Sequence, residues 1–283
     1  MKLLLQILFF FVIAQLIGLF TAGIIIKDIK VNPYVQQFVI TENSEDVFNA
    51  VYFFVYVLVG AIVIMAIIKF YKGQMLFRLL ELLMISSSSS IVFYAVFRSL
   101  AYGYEQAMTI SIALGIIFAI AKFFLSKLKN AAAILATAGV GVIFGISLGI
   151  MPVIIMLLLL SIYDFIAVFK TKHMVKMAEV LIKSDLAFTV SASVKEGKPR
   201  FSEKGERNRI DLGTGDIVAP VMFEVSALSL SPMASLFIFI GACVSIALLM
   251  YFAMRKKVVL PALPPITLGM LAFFILGRAL RVY

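Results

Sequence analysis

The sequence predicts an all-α membrane protein of nine transmembrane helices. Three observations carry that expectation. Of the 283 residues, 63% are hydrophobic and only 14% are charged, more apolar surface than a soluble domain of this length can cover. Apolar runs near the roughly 20 residues needed to cross a bilayer recur along the whole chain. The 25 Lys and Arg residues also divide very unevenly between the two sides that such a count defines.

The runs lie at roughly 3–26, 47–68, 79–97, 107–125, 131–149, 152–169, 210–230, 233–253 and 262–280. The first is interrupted by Gln6, Gln15 and Thr21. It is too long for a signal-peptide core and lacks a small-residue cleavage site, so it reads as a retained helix. The third contains Ser86 to Ser90. Those hydroxyls either bond back to their own helix carbonyls or line a wet cavity. The fifth carries Gly141, Gly145 and Gly149 at the spacing that lets helix backbones approach closely in lipid.

Between the sixth and seventh runs lies the only long polar segment, 170–209. KTKHMVKMAEVLIK predicts an amphipathic surface helix with Met174, Met177, Val180 and Leu181 on one face. LAFTVSASV predicts a short strand. KEGKPRFSEKGERNR is turn-rich. A plain solvated linker is the alternative reading. The chain is thus expected to be one membrane-embedded domain, 1–283: six helices over 1–169, a cytoplasmic loop over 170–209 and three helices over 210–283.

Twenty of the 25 basic residues fall on the side holding the N-terminus; the other five are Lys27, Lys30, Arg98, Arg278 and Arg281. Cytoplasmic loops carry the basic excess. The expected orientation therefore has the N-terminus in the cytoplasm and the C-terminus outside. Basic loops beside a membrane account for the net charge of +10, so no nucleic-acid partner is needed.

Elimination narrows the chemistry. There is one His, His173, and one Cys, Cys243. A zinc hydrolase wants a pair of histidines, and a cysteine cluster or internal disulfide needs more than one thiol. A serine nucleophile would need His173 in the membrane, but it lies among Lys170, Lys172 and Lys176. Cys243 has no base near it in sequence. Phosphate-binding GxxxxGK loops are absent. Carboxylates remain, with no metal and no cofactor.

Two of them stand out. Asp164 lies six residues before Lys170 at the end of the sixth run, and Asp216 six residues after Ile210 at the start of the seventh. At about 1.5 Å per residue, both are expected roughly 9 Å below the cytoplasmic boundary. Sequence fixes the depth and leaves helix rotation open. An intramembrane acid is costly unless neutral, paired or wet. Two carboxyls a few ångströms apart share one proton, the arrangement of aspartic proteases. One takes a proton from water while the other donates to the scissile carbonyl oxygen.

Gly213 and Gly215 beside Asp216 leave room for a peptide or a facing helix. PALPP, 261–265, opens the ninth run on the same side. Three prolines there predict an unwound start with free carbonyls; a simple helix-start proline is the alternative.

Tyr163-Asp164, Gly213-Thr214-Gly215-Asp216 and Pro261-Ala262-Leu263 together resemble the YD, GxGD and PAL motifs of presenilins and signal peptide peptidases. The resemblance spans the whole chain and is closest to an archaeal presenilin homologue. It implies a presenilin-like fold and an intramembrane aspartyl protease with Asp164 and Asp216 as the catalytic pair. Tyr163, Gly213, Gly215, Pro261, Ala262 and Leu263 would then shape the site and engage substrate. The implied substrates are single-span membrane proteins or signal peptides, in the cell membrane of a prokaryote, with a homo-oligomer possible. The expected topology is similar to presenilins and opposite to signal peptide peptidases. The loop between the two aspartate runs is much shorter than in animal presenilins, which favours a single-chain enzyme. LAFTVSASV is expected to pair with extended substrate by strand addition.

Two other classes compete. Asp211, Asp216 and Glu224 on the seventh run could serve a proton- or cation-coupled transporter or leak channel. Transporters are expected to show paired internal repeats, and no clear repeat is present. In that comparison Glu224 is expected to meet a polar partner near the outer side. A non-catalytic membrane scaffold is the third reading.

Overall fold

The computed structural model describes residues 2–33, 35–70, 74–171, 189–193, 209–256 and 261–283. Nine α-helices occur among them: α1 Lys2–Ile29, α2 Phe48–Phe70, α3 Gln74–Ser99, α4 Tyr104–Phe124, α5 Lys129–Ser147, α6 Ile150–Ile166, α7 Thr214–Leu228, α8 Pro232–Lys256 and α9 Leu263–Ala279. The nine expected runs correspond to them in order, eight as helices throughout and the seventh only in part. Six are long and apolar enough to cross a membrane. Large apolar side chains stay exposed along the flanks, among them Phe9, Tyr56, Ile62, Leu268 and Ile275, as expected where the solvent is lipid rather than water.

The seventh run departs from expectation. Arg209–Gly213 forms a strand, β2, paired antiparallel with β1, Thr189–Ser193. The helix begins only at Thr214. Arg209, Asp211 and Gly213 alternate with Ile210 and Leu212, which is strand periodicity rather than a helical stripe. The 15 residues of α7 reach about 22 Å, short of a bilayer core of about 30 Å. Extended β2 supplies further length. β1 falls within the strand expected from LAFTVSASV. Apart from Lys170, Thr171 and Arg209, the expected amphipathic helix and the turn-rich stretch lie outside the described residues, as does His173.

Small residues seat the central helices. An added Cβ at Gly145 would lie 2.6 Å from Val225 Cβ and 2.7 Å from the Met222 carbonyl oxygen. One at Gly141 would lie 2.6 Å from Val221 Cβ. So α5 presses onto α7 through the glycines its sequence singled out. An added Cβ at Gly139 would run into the Ser88 backbone of α3, and one at Gly115 of α4 would lie 2.6 Å from the Ser86 carbonyl oxygen. The serine run of α3 is therefore a packing face. Ser87, Ser89 and Ser90 bond back to Leu83, Ile85 and Ser86. Pinned between such neighbours, α7 is buried on all sides from Ala219 to Ala227.

Polar staples sit at both ends of α3. Near its start, Glu81 pairs with Lys122 of α4, both buried. Near its end, Arg98 pairs with Asp28 of α1 at 2.7 Å, Tyr94 donates to the same carboxylate at 2.9 Å, and the guanidinium lies 3.8 Å from the Tyr104 ring centroid. Removing one partner of such a pair strands a buried charge. The segment after α1 straps over the α5–α6 turn. There Gly149 N–H donates to the Ser44 carbonyl at 2.8 Å and Ile40 N–H to Ser147 Oγ at 2.9 Å.

The α5–α7 contact gives a testable outcome. Gly145→Val should destabilise the protein by about 1–3 kcal/mol through overpacking, read as a lower thermal midpoint by circular dichroism in detergent. Gly23→Ala, where an added Cβ meets nothing within 4 Å, should leave the midpoint unchanged. Equal midpoints for the two variants would contradict the close approach.

Candidate active site

Asp216 lies at a helix start rather than six residues inside, whereas the helical chain continues past Asp164 to Thr171. Asp164 is two residues from the end of α6, where the helix widens into a π turn over Ala167–Thr171. Asp216 is the third residue of α7. The depth expectation shifts because β2 occupies the residues that would have formed the first turns of α7. The two carboxylates are within electrostatic reach of one another.

Each carboxylate is held by backbone amides at a helix start. The first four N–H groups of a helix have no partner within it. In α9 those positions are unusual, because Pro264 and Pro265 have no N–H to offer. The Leu263 N–H donates to Asp164 Oδ2 at 3.3 Å, and the Ala262 amide also bonds that carboxylate. Asp164 thus caps a helix to which it does not belong. The side chain is only 4% exposed, so these amides and the positive end of α9 stand in for lost water.

Asp216 does the same for its own helix. Its carboxylate bonds back to the Gly213 N–H, the residue that caps α7. A carboxylate at the third helical position reaching back to the cap amide is half of a capping box. Gly213 makes this possible, because a Cβ there would sit 3.1 Å from Asp216 Oδ2. At Gly215 an added Cβ would meet nothing within 4 Å, leaving open space beside the acid. One turn on, Pro220 has no N–H for the Asp216 carbonyl.

A second rung fixes the register of α6 against α9. Ser161, one turn before Asp164, donates to Thr267 Oγ1 at 2.9 Å, one turn after Leu263. The prolines at 261–265 open a helix instead of leaving an unwound start with free carbonyls: α9 is helical from Leu263 onward, and the groups it offers Asp164 are amides. Pro261 and Ala262 are buried and Leu263 half-buried. Tyr163 is half-buried beside Asp164. Asp211 sits on β2, in register with Ser191. Glu224 is fully buried in α7 with no hydrogen-bond partner among the described residues, against expectation. Cys243 is half-buried in apolar surroundings. Among the described residues no group of His, Cys, Asp and Glu has the arrangement of a metal site.

The site's two strongest sequence signals, the aspartates, come together. Missed were β2, the Ser161–Thr267 rung and the amide grip on Asp164. Only the last had a readable signal: two prolines that delete competing donors.

The family model for "Signal-peptide peptidase, presenilin aspartyl protease" matches residues 8–282. Two solved structures described as a presenilin family intramembrane aspartate protease share the fold. One, in a C222 crystal form, has 21% identity and a TM-score of 0.69, covering 98% of this chain and 99% of its own. The other, in a P2 form, has 24% identity and a TM-score of 0.59, covering 94% and 96%. No curated protein sequence matches the chain. With nine helices in presenilin-like order among the described residues, two aspartates each bonded to helix-start amides and a family match over nearly its full length, this chain belongs to the signal-peptide peptidase and presenilin family of intramembrane aspartic endopeptidases.

Proposed function

We propose that Asp164 and Asp216 are the catalytic pair and that the chain hydrolyses peptide bonds of transmembrane helices with an activated water. The observation that carries this is the pairing itself: two carboxylates from α6 and α7 within electrostatic reach, each gripped by helix-start amides. One carboxylate takes a proton from a water held between the two, and the water oxygen attacks the scissile carbonyl carbon. The other carboxyl gives its proton to the carbonyl oxygen. A tetrahedral diol forms. Its collapse breaks the C–N bond as the amine nitrogen takes up a proton. Every proton is supplied by water or by the pair, so no metal enters the balance.

The remaining motif residues support substrate. Open space at Gly215 admits a backbone, and Tyr163 and the Pro261-Ala262-Leu263 segment border the pair. A substrate helix must unwind before attack, since its carbonyls are already bonded. The β1–β2 sheet has two strands among the described residues, so its outer edges suit strand addition by the unwound segment. The substrates fitting this reading are single-span membrane proteins or signal peptides. The uneven basic residues support an N-terminus in the cytoplasm and a C-terminus outside, and the motif resemblance favours a prokaryotic, archaeal-type cell membrane. A transporter role gains nothing from the family or the fold.

Two outcomes test the reading. Purified protein incubated in detergent with a single-span substrate should yield products whose masses map one cut region. Asp164→Asn and Asp216→Asn should each lower the rate by about 10²–10⁴-fold; cleavage at the wild-type rate by either variant would rule the pair out. Ser191→Pro, which deletes a strand amide, should slow cleavage with the helical circular dichroism signal unchanged. Normal turnover there would remove the strand-addition step and leave the catalytic pair intact.

A further inference from the structure

Pro220 is the seventh residue of α7. The other prolines within the described helices, Pro152, Pro232, Pro264 and Pro265, all fall in a first turn, where an N–H has no helical partner in any case. Among them Pro220 alone removes an interior rung. The group left without that rung is the carbonyl of Asp216, four residues earlier. The turn that carries the acid is therefore the one turn of α7 whose backbone is uncoupled from the next.

Packing changes at the same place. From Ala219 to Ala227 every residue of α7 is buried. Gly18 of α1 and Gly141 and Gly145 of α5 close on Val221 and Val225 there, and Ser226 donates to the Leu148 carbonyl at 2.9 Å. Before Ala219 only Ile217 of α7 is buried; Thr214, Asp216 and Val218 are half-buried and Gly215 is exposed. The Asp216 carboxylate bonds to the Gly213 N–H, so acid and cap form one small unit. Asp164 has the opposite setting. The helical chain runs on past it to Thr171, the start of α9 grips its carboxylate, and the Ser161–Thr267 bond at 2.9 Å locks those two helices one turn away.

Hydrolysis by the pair needs both carboxyls within hydrogen-bond reach of one carbonyl group and one water, and such contacts tighten as substrate binds. We propose that Asp164 is the fixed member of the pair and Asp216 the adjustable one. Pro220 is then a positioning residue: it lets the first turn of α7 tilt toward the scissile carbonyl without stretching a backbone hydrogen bond. An N–H at this position would tie the Asp216 carbonyl to the buried part of the helix, and the tilt would have to strain that bond. What the proline sacrifices is stability, because a proline inside a helix is unfavourable. The proposal rests on the catalytic reading of the two aspartates.

The test restores the missing donor in the full chain, in detergent, with the single-span substrate. Pro220→Val is close to the ring in bulk and supplies an N–H. It should lower kcat by about 3–10-fold, the weight of one backbone hydrogen bond, with KM unchanged. Its thermal midpoint should stay at or above that of the wild type. The same side chain introduced as α-hydroxyisovaleric acid, whose ester linkage carries no N–H, should return kcat to within about twofold of wild type. Equal slowing by the amide and the ester would mean that the ring's shape matters, and would overturn the proposal. So would a wild-type kcat in Pro220→Val, or a higher KM at constant kcat. If Pro220→Val fails to fold, Pro220→Ala brings the same N–H with less bulk and is read the same way. Asp216→Asn, run alongside, separates the two possible failures. Cleavage by it at the wild-type rate removes the catalytic reading and this proposal with it; an inactive Asp216→Asn beside a normal Pro220→Val removes this proposal alone.

Discussion

The structure turns on how an aspartate is kept in an apolar bundle. Bulk water does not solvate it there, and a neighbouring cation would neutralise the charge the chemistry needs. The solution is the unpaired amides at the start of a helix, backed by the partial positive end of that helix. Asp164 takes them from α9 and Asp216 from α7. The motif residues around the pair follow from this. Gly213 clears space for a carboxylate to fold back on its own cap, and Pro264 and Pro265 remove rival donors so that Leu263 and Ala262 face a single acceptor.

Such a grip works only if three helices hold their positions. The α6–α9 register is set by the Ser161–Thr267 rung one turn away from the Asp164–Leu263 bond. The position of α7 is set by α5, whose Gly141 and Gly145 admit Val221 and Val225, and by the Ser226 hydroxyl bond to the Leu148 carbonyl. In lipid there is little hydrophobic force between helices, so close contact and internal hydrogen bonds must supply the hold. The ion pairs at either end of α3 do similar work for the outer helices.

Much of this was legible from residues alone. Hydropathy located the nine helices because, in lipid, each crossing must be apolar for about the thickness of the hydrocarbon core. Two of the three glycines at four-residue spacing, Gly141 and Gly145, do mark the close packing of α5 on α7, whereas Gly149 falls in the turn before α6 and faces Glu45. The aspartates stood out because their setting was so costly. The seventh run misled because Ile210 and Leu212 are as apolar as a helix would want, and only the alternation with Arg209 and Asp211 marks a strand. PALPP was read for the carbonyls it frees, when its consequence is the amides it leaves. Lys122, one of the twenty basic residues on the N-terminal side, belongs to the last turn of α4 and is buried against Glu81. Pairing across helices depends on rotation, which no run of hydropathy reports.

The amide grip on Asp164 is the most direct point of attack. Replacing the Ala262–Leu263 peptide amide by an ester deletes one N–H and leaves every side chain in place. Loss of a hydrogen bond to a charged group, worth about 1.5–3 kcal/mol, should lower the cleavage rate by about 10–100-fold. Leu263→Ala, which keeps the amide, should cost far less. An ester-containing protein that cleaves at the wild-type rate would contradict the account.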